Sequence, residues 1–310
     1  MNPYLIFILA VLVIGWLFDT LVEMLNIKHM TPEVPGEFKD VYEQDEYRRS
    51  QEYERAKTRF GIVQSLVTTP LTIAFILLGG FAYVDQLARS VASGEILTGL
   101  VFAGILGGIS QILAKPFHYY YTFVLEERFG FNKMTRMLFI KDTFKNLLLG
   151  IIVGSIVFSV IIGFFLLTGK IAWVLAWVAM IAIQLFIMYI YPVVVLPWFN
   201  EFEPLPDGEL RDGIEAYAQK EGFKLTGIFT MDGSKRSTKS NAYFTGFGKN
   251  KRIVLFDTLV EQLTTEELVA VLAHEMGHFK LKHILKMMVA AFASTGLLFY
   301  LLSLFLKNEQ

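Results

Sequence analysis

The residues best suited to chemistry lie at Ala273-His274-Glu275-Met276-Gly277-His278. Two histidines four apart project from one face of a helix, close enough for both imidazoles to reach one metal ion. Glu275, one residue after the first histidine, can lean over the remaining coordination position and meet a water there. Zinc lowers the pKa of such a water to about 7. A neighbouring carboxylate can then take its proton and pass it to the leaving amine of a peptide. The spacing therefore predicts metal-assisted peptide hydrolysis with His274 and His278 as zinc ligands and Glu275 as the catalytic base. The competing reading, two solvent-facing histidines on an amphipathic helix, is weaker because the motif sits in a capped helical run. Thr264 and Glu267 are spaced for a capping box at its start.

The segment that must position this motif is the polar stretch 196–286. It reads as a helix at 207–221, short strands at 228–231, 242–247 and 252–256, a hairpin turn over Gly248-Lys249-Asn250-Lys251, and then the motif helix. His283 follows His278 by five residues, about 140° around a continuous helix. No glycine intervenes to bend the chain, so His283 is expected to be an interfacial side chain beside Lys280, Lys282 and Lys286. If a further residue completes the metal site, Glu261 and Glu267 are the first candidates.

The rest of the chain is built for lipid. Its 310 residues are 54% hydrophobic and 18% charged, with a mean hydropathy of +0.48, against about 25% charged in soluble domains. Long runs carry no charge at all, including 25 residues at 60–84, 24 at 146–169 and 20 at 287–306. About 20 apolar residues suffice for a helical span. Six spans are expected, at 4–27, 60–84, 96–114, 146–169, 171–195 and 287–306. Pro70 should kink the second, and Gly169-Lys170 leaves room only for a tight hairpin. A small soluble enzyme, a disordered chain and a fibre are excluded. The absence of cysteine excludes disulfides and thiolate sites. The net charge of −1 gives no argument for nucleic acid.

Lysine and arginine orient the spans. The five loops carry 7, 1, 6, 1 and 12 of them in turn, and positive loops stay cytoplasmic. The first end is therefore expected outside and the 196–286 segment in the cytosol. The loop at 33–59, with 14 charges of both signs, reads as a solvated helix beside the membrane. Phe117-His118-Tyr119-Tyr120-Tyr121 reads as an interfacial aromatic belt, with His118 not a ligand. The expected class is a mostly α, polytopic membrane protein with a small cytosolic α+β zinc-protease domain. Its parts are a membrane domain at 1–195, the protease segment at 196–286, and a last span at 287–310.

Several runs resemble the integral-membrane CAAX prenyl endopeptidases, gluzincin-type zinc proteases. These are Phe129-Gly130-Phe131-Asn132-Lys133-Met134-Thr135, Pro197-Trp198-Phe199-Asn200-Glu201-Phe202-Glu203-Pro204-Leu205, and above all Gly233-Ser234-Lys235-Arg236-Ser237-Thr238-Lys239-Ser240-Asn241-Ala242-Tyr243-Phe244, followed by residues 249–260. The resemblance implies spans around a water-filled chamber, capped by the zinc domain, and cleavage of peptides whose cysteine bears an isoprenoid. Broader quality control of membrane proteins is also implied. It further implies that Asn241 and Ala242 hold the substrate backbone at a strand edge, which agrees with how extended peptides add to exposed edges. The lipid bilayer and a peptide or protein substrate are the expected partners. The location would be a bacterial inner membrane or the eukaryotic endoplasmic reticulum. Family members carry a third zinc ligand, a glutamate, beyond a seventh span. The sequence to Gln310 does not reach one, so it resembles a truncated member. A non-catalytic membrane protein that captures lipidated peptides is the alternative from another class.

Overall fold

The computed structural model describes residues 2–167, 169–223, 225–245 and 251–306. The chain forms two compact units, Met1–Gly130 and Phe131–Gln310. Among the described residues, six helices are long and apolar enough to cross a membrane.

In the first unit α1 spans Pro3–His29, with Pro3 in its first turn and the Asn2 side chain accepting from the Tyr4 N–H at 2.9 Å. Ile6, Phe7, Val11, Ile14 and Phe18 are all exposed along one broad side of it, an apolar face of the kind that lipid would cover. The second helix departs from expectation. α2 runs over Gln44–Leu77, so the charged stretch and the apolar span form one continuous helix with Pro70 inside it. It stops where Gly79 adopts φ 75°, and α3 follows at Gly80–Val91. A run of uncharged residues reports where lipid contact begins, whereas a helix begins wherever its backbone is satisfied.

α4 spans Glu95–Tyr120 and continues as a π-helical turn over Tyr121–Glu126. The aromatic cluster here also ties α4 to α2: Phe60 on α2 stacks on the exposed Tyr120, with ring centroids 5.3 Å apart. Behind it the Tyr53 hydroxyl donates to buried Glu126 and lies 3.1 Å from the Tyr121 hydroxyl. The charged half of α2 is thus tied to α4 rather than merely solvated.

The second unit opens with α5, Arg136–Leu167, and α6, Ala172–Ile190, which pack together across a 3-10 turn at Gly169–Ile171. α6 continues through a π-helical turn, Tyr191–Val195, into α7, Leu196–Phe199. The polar segment then builds β1 (Phe202–Pro204), α8 (Glu209–Lys220), β2 (Leu225–Met231), β3 (Ala242–Thr245), β4 (Lys251–Phe256), α9 (Asp257–Gln262) and α10 (Thr265–Lys280). α11, His283–Leu306, is the last apolar helix. It is keyed to α6 by Trp177, whose Nε1 donates to the Phe292 carbonyl at 2.8 Å. A β-carbon on Gly296 would sit 2.8 Å from the Trp177 indole.

The sheet order is β1-β2-β4-β3. β2 and β4 are parallel, while β1 and β3 pair antiparallel with them. The β3–β4 register runs from Ala242 opposite Leu255 to Thr245 opposite Arg252, as a hairpin demands. Of the turn expected over Gly248-Lys249-Asn250-Lys251, the first three residues lie outside the described residues, and Lys251 opens β4. Ile214, Ile228, Ile253, Leu255, Leu268, Leu272 and Met276 form the core between α8, α10 and the sheet.

Candidate active site

α10 carries the motif, and its rotation is set by packing. Leu268, Leu272 and Met276 recur every four residues and are 0–1% exposed, so this stripe faces the core. His274 and His278 each lie two residues past a stripe position, about 200° around the helix, and both are exposed. The expected capping box is present. Thr264 Oγ1 accepts from the Glu267 N–H, and Glu267 Oε2 accepts from the Thr264 N–H at 2.9 Å. That bonding holds the Glu267 carboxyl below the usual carboxylate range, through the backbone bond first. Glu267 is therefore committed to the cap. Among the described residues neither it nor Glu261 joins the histidines in a metal-binding group of three.

The far end of α10 is pinned as well. Lys280 donates to Glu221 at the end of α8, and this bond depresses the Glu221 carboxyl. Phe223 packs edge-on against both Phe279 and Phe244 at 5.1 Å. Gly213 brings α8 close: a β-carbon there would meet Thr265 at 3.4 Å.

His274 Nε2 and His278 Nε2 face each other at 3.0 Å. Two neutral imidazoles presenting lone pairs at that separation repel unless a proton or a cation lies between them. Nitrogens bound about 2.0–2.1 Å from a tetrahedral zinc would lie ~3.3 Å apart, so this pair fits one metal with little movement. Glu275 is half-buried between the stripe and the histidines.

His283 is not where a continuous helix would put it. α10 ends at Lys280, and Lys282 takes φ 56°, the described non-glycine residue with a left-handed backbone. The Lys282 N–H bonds the Phe279 carbonyl at 3.0 Å, closing the turn that glycine usually closes. His283 then opens α11 with its Nδ1 2.8 Å from His278 Nδ1. The 140° estimate fails because the helix does not continue, and the missing glycine proved no guide because a lysine supplies the bend.

Asn241 and Ala242 stand at the entrance to β3, against which α10 packs. β3 is an edge strand among the described residues. The Phe256 N–H bonds the Asn241 carbonyl at 3.0 Å, so by antiparallel alternation Ala242 and Phe244 turn their backbone groups away from β4. Asn241 Oδ1 accepts from the Ala242 N–H at 2.8 Å.

The run leading to Asn241 is bolted down by residues that sequence reasoning did not assign. Arg236 donates to both carboxylate oxygens of Asp142 on α5, at 2.8 and 3.2 Å, to Asn200 Oδ1 at 2.6 Å and to the Phe199 carbonyl at 2.8 Å. Asp257 accepts from the Ser234 N–H and hydroxyl at 2.8 and 2.5 Å. Gly233 passes so close to Phe256 that a β-carbon would sit 2.5 Å from its ring. The available signal was Asp142, an acid just ahead of a 24-residue uncharged run.

A cavity of about 820 Å³ opens beside this run, lined by Asp142, Tyr191, Arg236, Asn241, Tyr243 and Phe244 among others. Burial, and then the neighbouring Tyr191, push the Tyr243 hydroxyl up to about 12. The cavity shares the β3 edge but none of its lining residues is His274, Glu275 or His278.

Comparison with known proteins adds the following. Residues 23–201 match the family described as CAAX prenyl protease N-terminal, five membrane helices, and residues 204–310 match peptidase family M48. The CAAX prenyl protease 1 homolog of Arabidopsis thaliana is 37% identical over 290 residues, covering 91% of this chain and 68% of the relative. The homolog of Dictyostelium discoideum is 39% identical over 291 residues, covering 92% of this chain and 68% of the relative. A crystal structure of S. mikatae Ste24p superposes with a TM-score of 0.92 at 35% identity, covering 97% of this chain and 72% of that one.

Proposed function

The chain belongs to the CAAX prenyl protease family of M48 peptidases, and from that premise we propose that it hydrolyses peptide bonds of prenylated, CAAX-type substrates with zinc held by His274 and His278. It is a membrane-embedded, multi-pass metalloprotease of the family fold. The observation that carries the site assignment is the 3.0 Å approach of the two Nε2 atoms on one capped helix.

Zinc in such a site would supply Lewis acidity, activating water and polarising a carbonyl. Glu275 takes the proton of the attacking water on its carboxylate as the new C–O bond forms. It returns that proton to the leaving nitrogen as the C–N bond breaks, ending in its starting state. The stripe of Leu268, Leu272 and Met276 keeps Glu275 on the same side as the histidines throughout.

The substrate joins the β3 edge in extended form. Phe244 offers its outward N–H and carbonyl and Ala242 its carbonyl, while the Asn241 carboxamide, its oxygen holding the Ala242 N–H, retains its NH2 as a donor to a substrate carbonyl. The adjacent 820 Å³ cavity has room for chain beyond the cleaved bond. By the loop charges, the polar segment faces the cytosol, where CAAX-bearing C-termini are presented.

The test is zinc analysis of the purified chain together with cleavage of a farnesylated CAAX peptide. Zinc binding that disappears in His274→Ala, with cleavage that disappears in Glu275→Gln, supports the proposal. Capture of the lipidated peptide without cleavage under saturating zinc would favour the non-catalytic binder.

A further inference from the structure

We propose that His283 is a positioning residue for the metal centre: its Nδ1 accepts the proton of His278 Nδ1 and so holds His278 in the tautomer whose Nε2 lone pair faces His274. The inference rests on the reading of His274 and His278 as metal ligands.

Both ring nitrogens of His278 are engaged. Nε2 lies 3.0 Å from His274 Nε2, and Nδ1 lies 2.8 Å from His283 Nδ1. A neutral imidazole has one N–H and one lone pair. If His283 donated, His278 would carry its proton on Nε2, aimed at His274, and could not bind a metal there. If His283 accepts, the proton sits on Nδ1 and Nε2 is free to ligate. Only the second arrangement lets the facing nitrogens share a cation. It places the proton of His283 on its own Nε2.

Geometry also says why His283 is not itself a ligand beside the other two. Its Nδ1 meets the opposite edge of the His278 ring from the one facing His274, with ring centroids 5.0 Å apart and planes at 68°. A hydrogen bond to the far nitrogen of a ligating histidine fixes the ring and raises its basicity. The acceptor is usually a carboxylate or carbonyl; here an imidazole takes the place.

The acceptor is delivered by the fold. Lys282 takes a left-handed backbone conformation that a non-glycine residue rarely adopts. The result is to bring the first residue of α11 back onto the last turn of α10. α11 is in turn fixed to α6 through Trp177 and Gly296.

The experiment measures zinc affinity of the purified full chain by competition with a fluorescent chelator, for the unmodified protein and for His274→Ala, His283→Ala and His283→Asn. Asn places its Oδ1 about where Nδ1 of histidine lies, so it restores the acceptor without an imidazole. We expect His283→Ala to weaken zinc binding about 10–100-fold and His283→Asn to recover most of the loss. Thermal unfolding of the metal-free proteins should coincide, because the bond matters to the tautomer rather than to the packing. Unchanged affinity in His283→Ala overturns the proposal. Equal losses in Ala and Asn make His283 a direct ligand and overturn it too. A chain whose zinc binding is indifferent to His274→Ala defeats the metal-site reading itself, a separate and recognisable outcome.

Discussion

Separating the Asp142 carboxylate from Arg236 should loosen the run that leads to Asn241 more than any surface change of similar size. The pair is bidentate at 2.8 and 3.2 Å, and the side chains are 12% and 21% exposed. A hydrogen bond to a charged group contributes about 1.5–3 kcal/mol, and removing one partner of a buried pair costs about 3–5 kcal/mol. Arg236 keeps Asn200 Oδ1 and the Phe199 carbonyl when Asp142 is lost, and some solvent reaches it. Asp142→Ala should therefore destabilise the protein by roughly 2–4 kcal/mol. Asp142→Asn, which leaves one acceptor oxygen, should cost about half as much. The pairwise part is isolated by a double-mutant cycle with Arg236→Gln, read from denaturant unfolding in detergent, and we expect a coupling of about 1.5–3 kcal/mol. Because Arg236 lies five residues before Asn241, peptide KM should rise in the single variants more than kcat falls. A coupling below about 0.5 kcal/mol would mean the two side chains act independently, and the reasoning would be refuted.

Glu275→Gln should keep zinc while lowering cleavage at least about 100-fold; loss of zinc on elemental analysis would make Glu275 a ligand instead. Gly296→Ala forces a β-carbon against the Trp177 indole and should cost about 1–3 kcal/mol in thermal unfolding, with Trp177→Leu in the same chain relieving it. Thr264→Ala removes the cap of α10 and should cost about 1 kcal/mol, visible as earlier hydrogen exchange at the first turn of that helix. Tyr243, raised from 10 to about 12, stays protonated in the folded chain after it ionises in the unfolded one. Its contribution to stability is thus complete below about pH 10 and declines toward pH 12. Tyr243→Phe should flatten that alkaline decline, and an identical slope in both proteins would contradict the burial.

What sequence reveals here is what local rules control. The Thr264–Glu267 cap, the helical i, i+4 spacing of His274 and His278, and six apolar helices each follow from neighbours a few residues apart. The β3 edge also follows from alternation and a turn signal. The misreadings come from places where distant contacts decide. Hydropathy divides α2 at its charges because it marks lipid contact, not helix ends. Phe60 and Tyr120 lie 60 positions apart, so their stacking leaves no local trace. A continuous helical angle misplaces His283 once Lys282 turns left-handed, and a lysine in that role carries no signature. Arg236 stood inside a conspicuous run, but its partner Asp142 is 94 residues earlier.

The left-handed turn at Lys282 also bears on whether the chemistry is separable from the bilayer. Only Leu281 and Lys282 lie between the helix of the hydrolytic motif and the apolar helix that begins at His283. At the other end of the polar segment, α6 runs into α7 with no loop at all. Excising the polar segment as a water-soluble fragment would strand His283 on a severed stump and free Arg236 from Asp142 on α5. The polar segment is therefore built in one piece with α6 and α11, without a linker at either junction.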